Sequence, residues 1–404
     1  MSKVNSGSGT GQRWAFPAIL VLMAVGLGSS GSPAPLYALY AREFDFAPII
    51  TTLVFAIYAV TALVSILSAG ALSDRHGRKP LLVGAAVLLL AGTVTFLYAD
   101  SAGWLLVARA LHGFAVGAIV VAGSAALLDL RPGQGARTGK FTGAVFNVGI
   151  GASLMIVALI AQFGEDPLHT PFLVMGGLAV LLLVTTLCLR EPHTEGRATT
   201  LRIAWPSVPA EITADFRFAV IGAIASWSML GVFLSLFPKI ASDAIGTDNL
   251  VVGAAIVAVS AFTGAVSQFL GVLWTPRIAA VVGDIGTAVC LLACIPAVAT
   301  GNGWVIGGAS ATLGFFFGLA FGSSLRHLGD VVPAGRRGEV MSAFYVGAYG
   351  ALAVPTLLAG WAATVWSPEQ IFAPFLALVA CGSLAAAVLG WTLDAPDADV
   401  DLDD

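Results

Sequence analysis

Arg109 and His112 stand three positions apart in a long apolar run, Arg109-Ala-Leu-His112-Gly113-Phe-Ala-Val-Gly117, and are the residues best placed to do chemistry. A guanidinium keeps its charge and presents five N–H donors, so it can hold an anion. An imidazole exchanges a proton near neutral pH. Burying an arginine in hydrocarbon costs roughly 2.5 kcal/mol or more, so Arg109 should face the protein interior or a water-filled cavity. The alternative is that its long side chain snorkels to an interface. His112, on about the same helix face, either exchanges protons in a mechanism or only completes a hydrogen bond. A second group of charges lies in Gly70-Ala-Leu-Ser-Asp74-Arg75-His-Gly77-Arg78-Lys79-Pro. There Gly70 permits close helix contact, Gly77 a tight turn, and Asp74 can accept charge-assisted hydrogen bonds. Arg75, Arg78 and Lys79 can pair with acids on neighbouring helices.

The residues of an enzyme are not assembled. The chain has no H-E-x-x-H and no nucleophile elbow. Gly133-Gln-Gly-Ala-Arg-Thr-Gly139-Lys140-Phe141 has five residues between its glycines where a P-loop has four, and Phe where Ser or Thr would bind magnesium. Cys188, Cys290, Cys294 and Cys381 all fall in apolar stretches and read as packing residues, so no disulfide framework, metal or cofactor is expected. No acid lies deep in spans 1, 4, 7 or 10, and Asp284, early in span 9, is expected to be peripheral and near the cytoplasm. An anionic or neutral small molecule is therefore favoured near Arg109, and no nucleic-acid partner is expected.

The elements that must position these residues are membrane helices. Across 404 residues the chain is 58% hydrophobic and 10% charged, with mean hydropathy +0.91. A soluble domain carries roughly 25% charged residues. A span takes about 20 apolar residues. Spans are expected near 15–40, 48–72, 80–99, 102–128, 138–162, 171–190, 216–238, 249–274, 278–299, 303–328, 340–364 and 370–393. The first run exceeds the 7 to 15 residues of a signal-peptide core and reads as a span, although Gly-Leu-Gly-Ser-Ser-Gly-Ser resembles a cleavage region. With the N-terminus inside, 16 of the 19 basic residues fall in cytoplasmic segments, leaving Arg42, Lys239 and Arg109. Both termini are thus expected in the cytoplasm, with the protein multi-pass in the plasma membrane. The organisation expected is an N-terminal six-helix bundle over 1–190, a Pro-containing cytoplasmic linker over 191–215, a second bundle over 216–393 and an acidic cytoplasmic tail over 394–404.

The chain also repeats itself at an offset of 201 residues. Gly70 falls on Gly271, Gly113 on Gly314, Gly117 on Gly318, Asp129 on Asp330, Pro132 on Pro333 and Gly149 on Gly350. The Asp and Pro pairs are the more telling. Both sit at the inner ends of even-numbered spans, as a parallel duplication with the pathway between its halves requires. The second half lacks the charges of the first: Gly271-Val-Leu-Trp-Thr-Pro-Arg277 has no acid, and Ser310 stands where span 4 has Arg109. It offers Trp227, Ser260, Thr263, Gln268, Phe315, Phe316, Tyr345 and Tyr349 as cavity residues.

The 70–80 segment closely resembles the loop signature of the major facilitator superfamily, G-x-L-x-D-R-x-G-R-[RK]. Arg109 to Gly117 resembles its second signature, R-x-x-x-G-x-x-x-G. The resemblance implies an all-α integral membrane fold of twelve transmembrane helices in two six-helix bundles, and transport of a small molecule by alternating access. It implies a latch role for Asp74 and Arg75 in the outward-facing state. Gly28-Ser-Ser-Gly-Ser-Pro33-Ala-Pro35-Leu-Tyr37 is similar to the broken first helix of drug-efflux members, which implies export of a hydrophobic or amphipathic compound. Its serines and Tyr37 either line the pathway or repair the broken helix. Gly143-Ala-Val-Phe-Asn147-Val-Gly-Ile-Gly151 departs from the antiporters' G-x-x-x-G-P-x-x-G-G, which weakens proton-coupled export and leaves uptake of a metabolite as the alternative. Asn147 is either a substrate contact or a helix–helix hydrogen bond. A non-transporting membrane sensor on the same fold is the alternative of another class. A monomer is the default for this fold.

Overall fold

The computed structural model describes residues 12–131, 134–192 and 205–393. The acidic tail over 394–404, linker residues 193–204 and Pro132 of the Pro132/Pro333 pair lie outside the described residues. Hydrocarbon offers a backbone no hydrogen-bond partners, so each span must satisfy its own as a helix. Twelve helical segments are long and apolar enough to cross a membrane, and no strand occurs among the described residues.

In the first half these are α1 (Ala15–Gly31) continued by α2 (Tyr37–Glu43), then α3 (Pro48–His76), α4 (Arg78–Leu97), α5 (Ala102–Leu130), α6 (Gly135–Phe163) and α7 (Thr170–Cys188). In the second half they are α8 (Thr213–Ser235) continued by α9 (Phe237–Ile245), then α10 (Leu250–Leu270), α11 (Pro276–Ala299), α12 (Gly303–Val331), α13 (Arg337–Val365) and α14 (Pro368–Thr392). Local sequence sets their starts. Proline stands in the first turn of α3, α7, α9, α11 and α14, where its missing N–H costs nothing. The Asn249 and Asn302 side chains cap α10 and α12, and Ser367 with Gln370 closes a capping box on α14. Several helices outrun the expected spans by a turn, α3 reaching His76 and the first span Glu43, because polar ends can leave the hydrocarbon.

Helices α1 to α7 pack mainly on one another, as do α8 to α14, and the halves meet where α3 lies on α13 and α6 on α10. Large apolar side chains stay exposed on the outside of the bundles, among them Leu173, Leu181, Val289, Leu358 and Leu378. Such a belt fits lipid and not water. One face of the molecule carries Arg78, Arg131, Arg190, Arg277, Arg326 and Arg336, and is called the basic face below. The opposite face carries the 43–48, 98–102, 245–250 and 365–368 connections.

The repeat has a structural meaning at its glycines. A Cβ at Gly113 would lie 2.5 Å from the Tyr58 carbonyl oxygen, and one at Gly117 2.6 Å from that of Ala62. Their counterparts Gly314 and Gly318 press on α10 in the same way, at 2.0 Å from Ser260 O and 2.7 Å from Gly264 O. The pairs let α5 close on α3 and α12 on α10. Gly70 does not fit the close-contact expectation, since a Cβ there would find its nearest neighbour at 4.0 Å. The first span of each half also breaks near the opposite face, at Ser32–Leu36 and again at Leu236.

Candidate functional site

Arg109 is fully buried in the middle of the first half. Helix α5 aims it at the broken first span, where Nη1 donates to the Ser29 carbonyl oxygen at 3.0 Å. From α3, Tyr58 lies under the guanidinium with its ring centroid 4.3 Å from Cζ, and Phe55 stands at 5.6 Å. A cation over aromatic faces is stabilised by the ring quadrupole, more so away from water. Nε and Nη2 find no hydrogen-bond partner among the described residues. Snorkelling is excluded by this burial.

His112 is equally buried but serves another neighbour. Its Nε2 lies 3.2 Å from Thr93 Oγ1 on α4, its ring packs 5.4 Å from that of Phe96, and Gly92 makes room for it. The expected common face of Arg109 and His112 is thus split between the α1/α3 side and the α4 side. A single turn on a helix with neighbours all round is enough to send two residues to different partners.

The loop between α3 and α4 is built around Arg78 and not Arg75. Arg78 Nη1 meets Asp74 Oδ1 at 2.5 Å and Ser73 Oγ at 2.9 Å, while Nε reaches Asp129 Oδ2 on α5 at 3.0 Å. Glu191, after α7, accepts the backbone N–H of Arg78 at 2.8 Å and of Lys79 at 3.1 Å, a carboxylate on the positive end of α4. Gly77 takes φ +101 to make the turn. Arg75 and Asp74 are exposed, and Arg75 takes no part in these contacts.

Of the residues expected to line a cavity, Tyr37 does so. It borders a space of about 310 Å³ at the opposite face, between the ends of α1/α2 and α3 and those of α8, α9 and α10, with Pro35, Arg42, Pro238 and Lys239. The Ser29, Ser30 and Ser32 hydroxyls instead donate to the carbonyls of Gly26, Leu27 and Ser29, repairing the broken helix. Asn147 donates to Gly143 O within α6, and its Oδ1 lies against Gly264 of α10. Gln268 donates to Gly318 O on α12 at 2.9 Å and lies against Gly143. Both amides therefore sit in the seam between the halves. Trp227, Tyr345 and Tyr349 form one aromatic cluster with Phe321 and Phe344: Trp227 stands 4.7 Å from Tyr349 and 5.3 Å from Phe321 between centroids. Helix α13, which carries the tyrosines, packs on α3, which carries Tyr58.

A model of the Major Facilitator Superfamily matches residues 18–355. The chain belongs to the Major Facilitator Superfamily. It is a multi-pass membrane protein of that superfamily. It is 33% identical over 132 residues to "Inner membrane transport protein YajR" of Escherichia coli strain K12, an alignment covering 32% of this chain and 28% of that one. It is 29% identical over 279 residues to "4-hydroxybenzoate transporter PcaK" of Pseudomonas putida, covering 63% of this chain and 57% of that one. The chain thus spans from about a quarter to somewhat over half of the length of these relatives.

Three residues escaped the sequence reading. Asp129 stood only as a repeat landmark and Glu191 only as the start of a linker, and both hold the α3–α4 loop. Asp284, expected to be peripheral and near the cytoplasm, is fully buried, with neither carboxylate oxygen partnered among the described residues. An acid inside an apolar span was the available signal.

Proposed function

We propose that this transporter moves a small amphipathic organic anion, an aromatic acid fitting best, by alternating access between units 1–190 and 216–393 joined through 191–215. One observation carries the reading: the Arg109 guanidinium is buried, permanently charged, and paired with a carbonyl oxygen and aromatic faces instead of a carboxylate. A positive charge left without a counter-ion in a low-dielectric interior is a site for a transported anion. The Trp227–Tyr345–Tyr349 cluster of the other half supplies apolar and hydroxyl-bearing surface for a ring, and a relative carries 4-hydroxybenzoate in its name. Opening the seam between α3 and α13 would bring the two surfaces to one ligand.

In this reading Asp74, Arg75, Arg78, Lys79, Gly70 and Gly77 form the gate at the basic face, with Asp129 and Glu191 as its partners. Gly113 and Gly117 hold Arg109 in register by letting α5 close on α3, and His112, held by Thr93 on the α4 side, is a second coupling residue. The basic face is cytoplasmic, following the bias of Lys and Arg, and the membrane is the plasma membrane. The protein works as a monomer in the bilayer. The broken first span supports export, with protons as the counter-ion. The altered glycine pattern around Asn147 favours uptake as the second direction.

Flux of radiolabelled aromatic acids into and out of proteoliposomes, with and without an imposed pH gradient, separates the two directions. Arg109→Ala should abolish gradient-driven flux of anions, and Arg109→Lys should retain part of it, since lysine keeps the charge but not the planar fork. Unchanged flux in Arg109→Ala would remove the assignment.

A further inference from the structure

Asp284 sits on the face of α11 that meets α8 and α14. A Cβ placed at Gly222 of α8 would lie 3.1 and 3.2 Å from its two carboxylate oxygens and 3.5 Å from Ala386 of α14, so three helices converge on the acid. No side chain among the described residues bonds to either oxygen. One helical turn toward the opposite face, the same three helices each present a hydroxyl. These are Thr287, three residues beyond Asp284; Ser226, four beyond Gly222; and Ser383, three before Ala386. Contact between Gly382 and Ala225 keeps α14 against α8 beside Ser383 and Ser226.

Among the described residues five buried serine and threonine hydroxyls lack a partner, and three of them gather here, the other two being Ser310 and Ser324 of α12. Ser228, Ser235, Thr356 and Thr186 each donate to the carbonyl four residues earlier, the ordinary solution for a hydroxyl in an apolar helix. Ser226, Thr287 and Ser383 are fully buried, yet their oxygens have no partner among the described residues, as with Asp284. Toward the basic face the nest is closed by a separate apolar cluster of Phe218, Ala280, Val281 and Ala387. The charged groups beyond that plug are engaged elsewhere. Arg277 donates to the carbonyls of Gly390, Trp391 and Leu393, and His327 pairs with Asp215 at 2.7 Å.

We propose that Asp284, Thr287, Ser226 and Ser383 form a monovalent-cation site that takes Na⁺. A buried carboxylate must be neutralised or must hold a cation. A proton would satisfy one oxygen and leave three hydroxyls orphaned, whereas a hard cation uses carboxylate and hydroxyl oxygens as one ligand set. One acid matches one positive charge, and no cluster of three acidic, His or Cys side chains suited to a higher-valent metal occurs among the described residues. The next residue after Ser226 is Trp227 of the aromatic cluster. Resting on the substrate reading above, an ion at Ser226 would therefore be felt at the substrate surface through a single turn of α8.

The test needs no substrate. The purified full-length protein in detergent is heated in NaCl, KCl or choline chloride at fixed ionic strength and pH, and ²²Na⁺ binding is measured by equilibrium dialysis. Na⁺ alone should raise the unfolding midpoint in a saturable way, with one ion bound per chain. Asp284→Asn should fold and lose both effects, and Thr287→Val should lower Na⁺ affinity by about tenfold or more while Thr287→Ser retains it. A midpoint insensitive to Na⁺, or Na⁺ binding unchanged in Asp284→Asn, would overturn the site. So would a response to lowered pH alone that Asp284→Asn removes, which would put a proton there. Should Asp284→Asn not fold, the Thr287→Val and Thr287→Ser pair decides. Loss of aromatic-acid flux with Na⁺ binding intact would count against the substrate reading and not against this one.

Discussion

Gly77 joins α3 to α4 with φ +101 and ψ 166, a conformation that side chains other than glycine rarely adopt. A methyl group there would also come within 2.4 Å of the Glu191 carboxylate, which is fixed on the first N–H groups of α4. Gly77→Ala should therefore destabilise the protein by about 1–3 kcal/mol. Thermal unfolding in detergent checks this, and equal midpoints for Gly77→Ala and the wild type would remove the strain argument. The turn itself is legible in the spacing of Gly77 and its basic neighbours. Its partner is not, because Glu191 lies 113 positions from Arg78 and only folding brings them together. The same limit hid Asp129 behind Arg78. It also hid Asp284, since an apolar helix surrounded by other helices does not declare which of its faces is innermost.

At the scale of elements, helix pairs rather than single helices carry the repeat. Apolar runs and Pro, Gly and Asn punctuation place all twelve spans within a turn or so, because a span must be long, apolar and hydrogen-bonded within itself. What the runs cannot give is how closely two helices approach. That is settled by the glycines facing carbonyl oxygens at Gly113, Gly117, Gly314 and Gly318. Gly113→Ala and Gly314→Ala should each cost about 1–3 kcal/mol, since backbone stands in the way at both, joined at Gly113 by the Thr61 hydroxyl at 2.0 Å. Gly70→Ala and Gly350→Ala should be nearly neutral, with a Cβ at 4.0 Å from its nearest neighbour in the first and in open space in the second. Melting curves of the four variants make the comparison. A large effect at Gly350 would show that sequence offset, and not helix approach, decides which glycines matter.

Across the whole molecule, contacts between the halves include several at the opposite face. Gln162 Oε1 of α6 accepts the backbone N–H of Leu250 at the start of α10 at 2.8 Å. Thr52 of α3 is pressed onto Gly360 of α13, where a Cβ would fall 2.6 Å from that of Thr52. On the basic face, by contrast, the Arg78–Asp74, Arg78–Asp129, His327–Asp215 and Arg336–Glu339 pairs each join elements of one half. Near the opposite face the halves are thus held by packing that an opening motion at that face must break, while toward the basic face Gln268 lies against Gly143 and Phe269 against Phe141 along the α6–α10 seam. A disulfide needs Cβ atoms about 3.5–4.5 Å apart, so cysteines at 52 and 360 can bond after a small outward adjustment of α3 and α13. In a background with Cys188, Cys290, Cys294 and Cys381 replaced by serine or alanine, Thr52→Cys with Gly360→Cys should cross-link under mild oxidation. The cross-linked protein should lose transport and recover it on reduction, while each single variant keeps its flux under the same oxidant. Full flux through the cross-linked protein would mean that α3 and α13 need not part at this face, and alternating access by rocking of the two halves would not be the mechanism.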